Sequence, residues 1–314
     1  MATATTATAE GTSPVTPHGA YVGRFAPSPT GRLHLGSLTT ALGSCLEARA
    51  HGGRWLLRIE DLDTPRILPG AADEMLRTLE ALGFEWDGAV VYQSQRAEAH
   101  ATALARLRDL GRLYPCGCSR RQLSAQDVAA DTEGGYPGTC RHGTRAPPPW
   151  AHRFLVRDDC VQVLTDGLCG EQRWPMHALG DPVVQRRDGI VAYQLAVVVD
   201  DDAASVTDVV RGADLLTSTA WQRELQQALG LPLPRCVHLP LVTAPDGSKL
   251  SKTASAVPLD PASAGEWLHR ALLILRQTPP TSLHAAKPRE IWQWAESTWN
   301  LNALRSHPTA HETL

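Results

Sequence analysis

Lys249 and Lys252 are two of only three lysines among thirty Lys plus Arg, and both lie in Gly247-Ser248-Lys249-Leu250-Ser251-Lys252-Thr253. An ammonium on a flexible stem is a mobile point charge, whereas guanidinium is a planar fork suited to fixed bidentate pairing. A chain that uses Arg almost throughout yet keeps Lys twice in a Gly/Ser loop has charges able to follow a departing phosphate. That points to phosphoryl or nucleotidyl chemistry; a solvated turn after Pro245-Asp246-Gly247 is the plainer alternative. A second group is Cys116-Gly117-Cys118 followed by Cys140, with Tyr136 and His142 close by. Thiolates at this spacing can close a tetrahedral structural zinc site that still needs a fourth ligand. Imidazole is a far commoner zinc ligand than phenolate, so chemistry alone favours His142. Ordinary buried thiols are the alternative, and Cys45, Cys160, Cys169 and Cys236, without such company, read as core residues.

Residues 21–37 place a third group. Tyr-Val-Gly-Arg-Phe is a short apolar strand, Ala-Pro-Ser-Pro-Thr-Gly a turn, and Leu35, Leu38, Leu42, Cys45 and Leu46 recur at helical spacing, so a helix begins near His34. In a doubly wound sheet the crevice at such a strand–loop–helix junction receives the ligand, and the amides of the first helical turn attract phosphate oxygens. Gly36 permits close approach there, and His34 can donate to a phosphate.

Arg24-Phe-Ala-Pro-Ser-Pro-Thr-Gly31 with His34-Leu-Gly-Ser37, Leu57-Arg-Ile-Glu-Asp61 and Lys249-Leu-Ser-Lys-Thr253 resemble the glutamyl branch of the class I aminoacyl-tRNA synthetases over roughly residues 20–255. The resemblance implies that His34, Gly36, Ser37 and Lys252 bind ATP, and that His34, Lys249 and Lys252 serve catalysis. Ser37 stands where the eponymous His-Ile-Gly-His motif ends in His, and Leu250 and Thr253 replace the Met and Ser of the lysine loop. Arg24, Phe25, Ala26, Pro27, Ser28, Glu60, Tyr193 and Arg211 fall in the segments that hold glutamate. Their chemistry suits it: guanidinium forks for two carboxylates and an anionic partner for the amine. Asp61 and Asp63 could instead suggest metal ligands, but Mg²⁺ is expected to travel with ATP. For the cysteine module the resemblance points to Tyr136 as the fourth ligand, in a Cys-x-Cys, Tyr-x-x-x-Cys pattern with Cys116, Cys118 and Cys140, and His142 stays open.

The elements that must position these groups alternate early. Arg54–Ile59 is a second strand; Ala72, Met75, Leu76, Leu79 and Leu82 stripe a helix; Val90–Tyr92 is short and apolar; Leu104, Leu107 and Leu110 stripe another helix. Within 115–180 the short β-like pieces Phe154–Val156 and Val161–Leu164 mark an insertion. Val183–Arg186 and Ile190–Tyr193 flank Asp188-Gly189 as a hairpin. Val206–Arg211 and Val237–Val242 read as buried parallel strands with helix Leu215–Leu229 between them. The expected fold is α/β: a Rossmann-like parallel sheet of the class I synthetase type with helices on both faces, split by a zinc-bearing insertion, plus a short helical C-terminal segment. The expected boundaries are a disordered tail at 1–19, the first half of the catalytic domain at 20–114, the zinc insertion at 115–180, the second half at 181–255 and a helical segment at 256–314.

The 61 residues after Thr253, with helical stripes around Trp267–Leu275 and Ile291–Trp299, are too few for an anticodon-reading domain. The resemblance therefore narrows to a shortened subfamily that activates glutamate and glutamylates the queuosine of tRNA(Asp), meeting that RNA through its anticodon loop. Truncated charging of the 3′ end of tRNA(Glu), or a silent tRNA-binding paralogue, are the alternatives. Net charge is −3, so an RNA surface must be a local arginine patch. No apolar run reaches membrane-spanning length, residues 1–19 carry neither an apolar core nor Arg, and seven cysteines, an odd number, argue against a secreted disulfide scaffold. A cytoplasmic monomer is expected.

Overall fold

The computed structural model describes residues 20–124, 135–243, 258–305 and 309–311. The tail expected at 1–19 and the Lys249/Lys252 loop lie outside the described residues. The chain opens with β1 (Val22–Phe25), α1 (Leu35–Ala50), β2 (Arg54–Ile59), α2 (Ala71–Ala81), β3 (Val91–Tyr92) and α3 (Ala97–Asp109). Next come β4 (Leu113–Cys116), α4 (Arg120–Ser124), β5 (Ala151–Phe154), β6 (Val161–Asp166), β7 (Gly170–Pro175), α5 (Met176–Leu179) and β8 (Val183–Gln185). The later parallel elements are α6 (Tyr193–Ala203), β9 (Asp208–Gly212), α7 (Ser218–Leu229), β10 (Arg235–Leu239) and β11 (Leu241–Thr243), followed by α8 (Ala264–Ile274), α9 (Pro288–Thr298) and β12 (Thr309–His311).

β3, β2 and β1 pair in parallel in that order, and β9 and β10 form a second parallel pair. The two meet where β1 runs beside β9: the Thr207 N–H donates to the Val22 carbonyl at 3.0 Å, and the Val22 N–H donates to Thr207 Oγ1 at 2.9 Å. Strand order reverses at that seam, the position where open α/β sheets take their ligands. Helices cover both faces. One core joins α1, α2, α8 and α9 around Trp55, Leu57, Leu38 and Leu42; the other joins α3, α6 and α7 around Phe154, Leu195 and Leu225. Gly43 allows α1 to lie this close to its neighbours, since a Cβ there would come within 2.8 Å of Leu239 and 3.3 Å of Leu275.

Between the halves, β4, β5 and β8 form an antiparallel sheet and β6–β7 a hairpin. Three local expectations change. The turn at Asp188-Gly189 is present, with the Arg186 N–H donating to the Ile190 carbonyl at 2.8 Å, but Ile190–Tyr193 is not a strand. Val191 makes one bridge to Gln185, and Tyr193 then opens α6, a helix buried nearly all round at Leu195, Ala196, Val197, Val198, Asp200 and Asp201. The segment read as Phe154–Val156 is strand only to Phe154. Val237–Val242 is broken at Pro240, which has no N–H for the ladder.

Candidate active site

The carboxyl ends of β1, β2, β9 and β10 converge on one cavity of about 640 Å³. Its wall holds Arg24, Phe25, Ala26, Pro27 and Ser28 from the end of β1 and its loop, Glu60 after β2, Arg211 from β9, Tyr193 from α6, and His34, Gly36 and Ser37 at the start of α1. Lys249 and Lys252 lie outside the described residues, but the nearest described wall residues on either side, Val242 and Pro258, both face this cavity. Pro258 bridges to His34, and the Leu259 N–H donates to the Leu33 carbonyl at 3.1 Å.

His34 is the N-cap of α1 in extended conformation (φ −127°, ψ 171°). The Ser37 N–H donates to His34 Nδ1 at 3.3 Å, and the His34 N–H donates to Ser37 Oγ at 2.8 Å, a reciprocal capping box. The Nδ1 acceptor role places the ring proton on Nε2, and burial lowers the imidazole's pKa, so the ring is a neutral donor. Ser37, which departs from the family motif, thus orients the histidine. A Cβ on Gly36 would press on the His34 ring at 3.2 Å.

The amino-acid side of the cavity is built on one buried carboxylate. Asp201, in α6, accepts from Arg24 Nε at 3.2 and 3.3 Å and from Arg58 Nη1 at 2.7 Å. Burial opposes its ionisation, but the two guanidiniums hold its pKa below the ordinary carboxylate value. Arg58 Nη2 reaches Glu60 Oε1 at 3.2 Å, and the Glu60 N–H donates to the Pro27 carbonyl at 2.9 Å, tying β2 to the Ala-Pro-Ser loop. Burial raises the pKa of Glu60. Arg24 hydrogen-bonds through Nε alone, leaving its Nη groups without a hydrogen-bond partner among the described residues. Arg211 Nη1 faces the Tyr193 hydroxyl at 3.4 Å, and its Nη2 donates to Thr219 Oγ1 at 2.8 Å. The cavity wall itself carries Arg24, Arg32 and Arg211 against Glu60 and Asp214, an excess of one positive charge, which suits an amino acid carrying two carboxylates and one ammonium. Asp61 accepts from Ser94 at 2.6 and 2.8 Å and Asp63 pairs with Arg186 at 2.6 Å, so neither carboxylate stands ready as an unpaired metal ligand.

The Sγ atoms of Cys116, Cys118 and Cys140 lie within 4.8 Å of one another, a cluster able to hold a metal ion. The Tyr136 hydroxyl joins them at 3.4 Å from Cys116 and 3.7 Å from Cys118, and accepts from the Cys140 N–H at 3.0 Å. His142 is exposed and outside the cluster. Burial works against the Cys140 thiolate, yet hydrogen bonds from Tyr136 and the Gly117 backbone bring its pKa to about 7. Arg153 stacks on the Tyr136 ring at 3.6 Å and donates to Cys116 Sγ at 3.3 Å, offsetting the charge of a multi-thiolate site. Three thiols, a phenol and a compensating cation fit a structural metal.

Arg58 was legible in the sequence as a partner for Glu60, but Asp201 was not. The signal for Asp201 was faint: an acid run, Asp200-Asp201-Asp202, directly after three valines.

The catalytic-domain profile of tRNA synthetases class I (E and Q) matches residues 21–301. The chain belongs to this family. As an aminoacyl-tRNA ligase it has similar curated relatives named glutamyl-Q tRNA(Asp) synthetase. The one from Aromatoleum aromaticum is 51% identical over 90% of this chain and 89% of its own, and the one from Geobacter sulfurreducens 48% over 95% and 96%. A glutamate-tRNA synthetase from Elizabethkingia anophelis superposes with TM-score 0.77 at 25% identity, over 94% of this synthetase and 68% of that chain. No helix among the described residues is long and apolar enough to cross a membrane.

Proposed function

We propose that this synthetase activates glutamate with ATP in the absence of tRNA, giving glutamyl-adenylate and pyrophosphate, and then transfers glutamate to the queuosine of tRNA(Asp). The observation that carries the first step is one cavity whose wall brings the guanidiniums of Arg24 and Arg211 and the carboxylate of Glu60, with Arg32 and Asp214 also in the wall, to the capped N-terminus of α1. Arg24 and Arg211 hold the carboxylates of the substrate, with Tyr193 as a neutral hydroxyl partner, and Glu60 receives its ammonium. The loop Phe25, Ala26, Pro27 and Ser28 shapes the floor between them. The substrate α-carboxylate attacks the α-phosphorus in line and pyrophosphate leaves; no side-chain nucleophile is needed. His34 donates Nε2–H to the nucleotide phosphates, the helix amides at Gly36 and Ser37 add their partial charge, and Lys249 and Lys252 follow the departing pyrophosphate. Mg²⁺ arrives with ATP. Cys116, Cys118, Tyr136 and Cys140 would hold one structural Zn²⁺, whose contribution is to fix the fold of the insertion rather than to act on substrate. The second step rests on the relatives' name, and anticodon-loop docking, a monomeric state and a cytoplasmic setting belong to the same reading.

One experiment separates the outcomes. Labelled glutamate and ATP are supplied with tRNA(Asp) containing or lacking queuosine, and with tRNA(Glu). Label should enter only the queuosine-containing tRNA(Asp); label on the 3′ end of tRNA(Glu) would overturn the acceptor. Lys252→Ala should reduce glutamate-dependent ATP–pyrophosphate exchange by about 100-fold or more while leaving glutamate binding nearly intact; equal exchange would remove Lys252 from the mechanism.

A further inference from the structure

We propose that Asp166, at the end of β6 in the insertion hairpin, is a positioning residue for Arg211 and acts by fixing the tautomer of His238. The inference rests on the reading of Arg211 as a carboxylate-binding group for glutamate. His238, in β10, and Asp166 are both fully buried, and Asp166 Oδ2 lies 2.6 Å from His238 Nδ1. On the other side of the ring, Arg211 Nε lies 3.2 Å from His238 Nε2. Guanidinium has donors only, so Nε2 must offer a lone pair, the ring proton must sit on Nδ1, and Asp166 must accept it. Burial, which lowers the imidazole pKa, keeps the ring neutral against the opposing pull of Asp166. The hairpin turn is seated for this task. The Gly167 N–H donates to the Cys236 carbonyl at 2.9 Å, and a Cβ on Gly167 would strike Val237 at 2.7 Å, so only glycine allows this approach to β10. A residue of the insertion, remote in sequence from the cavity, thereby sets the angle at which the guanidinium enters it.

The second oxygen of Asp166 makes the claim testable. Oδ1 accepts from the backbone N–H groups of Leu168 at 3.0 Å, Cys169 at 2.9 Å and His238 at 3.2 Å. In Asp166→Asn those three donors retain the amide oxygen, so the NH₂ group replaces Oδ2 and faces Nδ1. The imidazole then moves its proton to Nε2, which can turn toward Thr219 Oγ1 at 3.2 Å, and Arg211 Nε loses its acceptor.

Long-range ¹H–¹⁵N spectra of the full chain labelled on histidine, with His238 assigned by its absence in His238→Gln, should show Nδ1–H in the native protein and Nε2–H in Asp166→Asn. In tRNA-free ATP–pyrophosphate exchange the same variant should raise the glutamate KM about tenfold or more, with the ATP KM and kcat near native. A native Nε2–H tautomer or imidazolium overturns the inference without any variant having to fold. A flipped tautomer with unchanged glutamate KM also overturns it, provided Arg211→Lys raises that KM. If Arg211→Lys is itself silent, the reading of Arg211 is what fails, and the inference falls with it.

Discussion

Asp201 holds Arg24 and Arg58 with one carboxylate, so removing it strands the buried Arg24 and leaves Arg58 with Glu60 alone. Asp201→Ala should lower stability by about 3–5 kcal/mol, read from urea unfolding at neutral pH, and should raise the glutamate KM as Arg24 loses its anchor. A variant as stable as the parent would show that solvent reaches this pair. Because the folded-state pKa of Asp201 is depressed, its stabilisation is complete above the ordinary carboxylate range and drains as pH falls below it. Ser37→Ala removes one arm of the capping box, the Oγ that accepts the His34 N–H, while the backbone N–H of residue 37 still donates to His34 Nδ1. The substitution should cost about 1 kcal/mol and slow activation through a looser His34, whereas Ser37→Thr should preserve both stability and rate; unchanged exchange in the alanine variant would separate the cap from the chemistry. Residues that face the cavity, Arg24, Glu60, Tyr193 and Arg211, were legible because each sits in a recognisable local motif. The support at Asp201 was not: Arg24 and Arg58 meet Asp201 across 177 and 143 positions, and no local pattern encodes such a meeting.

Among the elements, α7 carries a buried acid that ties the insertion to the parallel fold. Glu224 accepts from Arg112 at 2.8 Å, Arg157 at 3.0 Å and Gln162 at 2.7 Å. Burial would raise its pKa, but Arg157 and Arg112 carry it down to about 2 from an ordinary 4.5. Its contribution is therefore fully present above pH 4.5 and disappears as pH falls toward 2. Glu224→Gln should be less stable than the parent at pH 7, and the gap should narrow at pH 3; a gap of constant size across that range would refute the assignment. Long apolar stripes announced α1, α2, α3, α8 and α9. The hairpin expected at 190–193 failed because a two-residue Asp-Gly turn signals a reversal without fixing the conformation of the next segment, and the burial of Leu195–Val198 decided for helix. The break at Pro240 was visible in the sequence and should have divided that strand.

At the scale of the molecule, the cysteine cluster lies away from the cavity wall, so metal and chemistry should separate. Cys140→Ser or prolonged chelation should abolish stoichiometric zinc and lower Tm, while ATP–pyrophosphate exchange measured well below Tm survives; loss of exchange in a folded, zinc-free protein would tie the cluster to catalysis. The C-terminal helices are part of the main core: Trp292 Nε1 donates to the Leu82 carbonyl at 2.9 Å and Trp299 Nε1 to Glu47 at 2.6 Å. The seam between β1 and β9 joins residues 185 positions apart. On a ribosome adding about 5–20 residues per second, Val22 is made roughly 10–40 s before its partner Thr207. Throughout that interval the nascent β1 has an unmatched side able to recruit another strand, and a chaperone that shields it during translation should raise the yield of active enzyme more than one added after release.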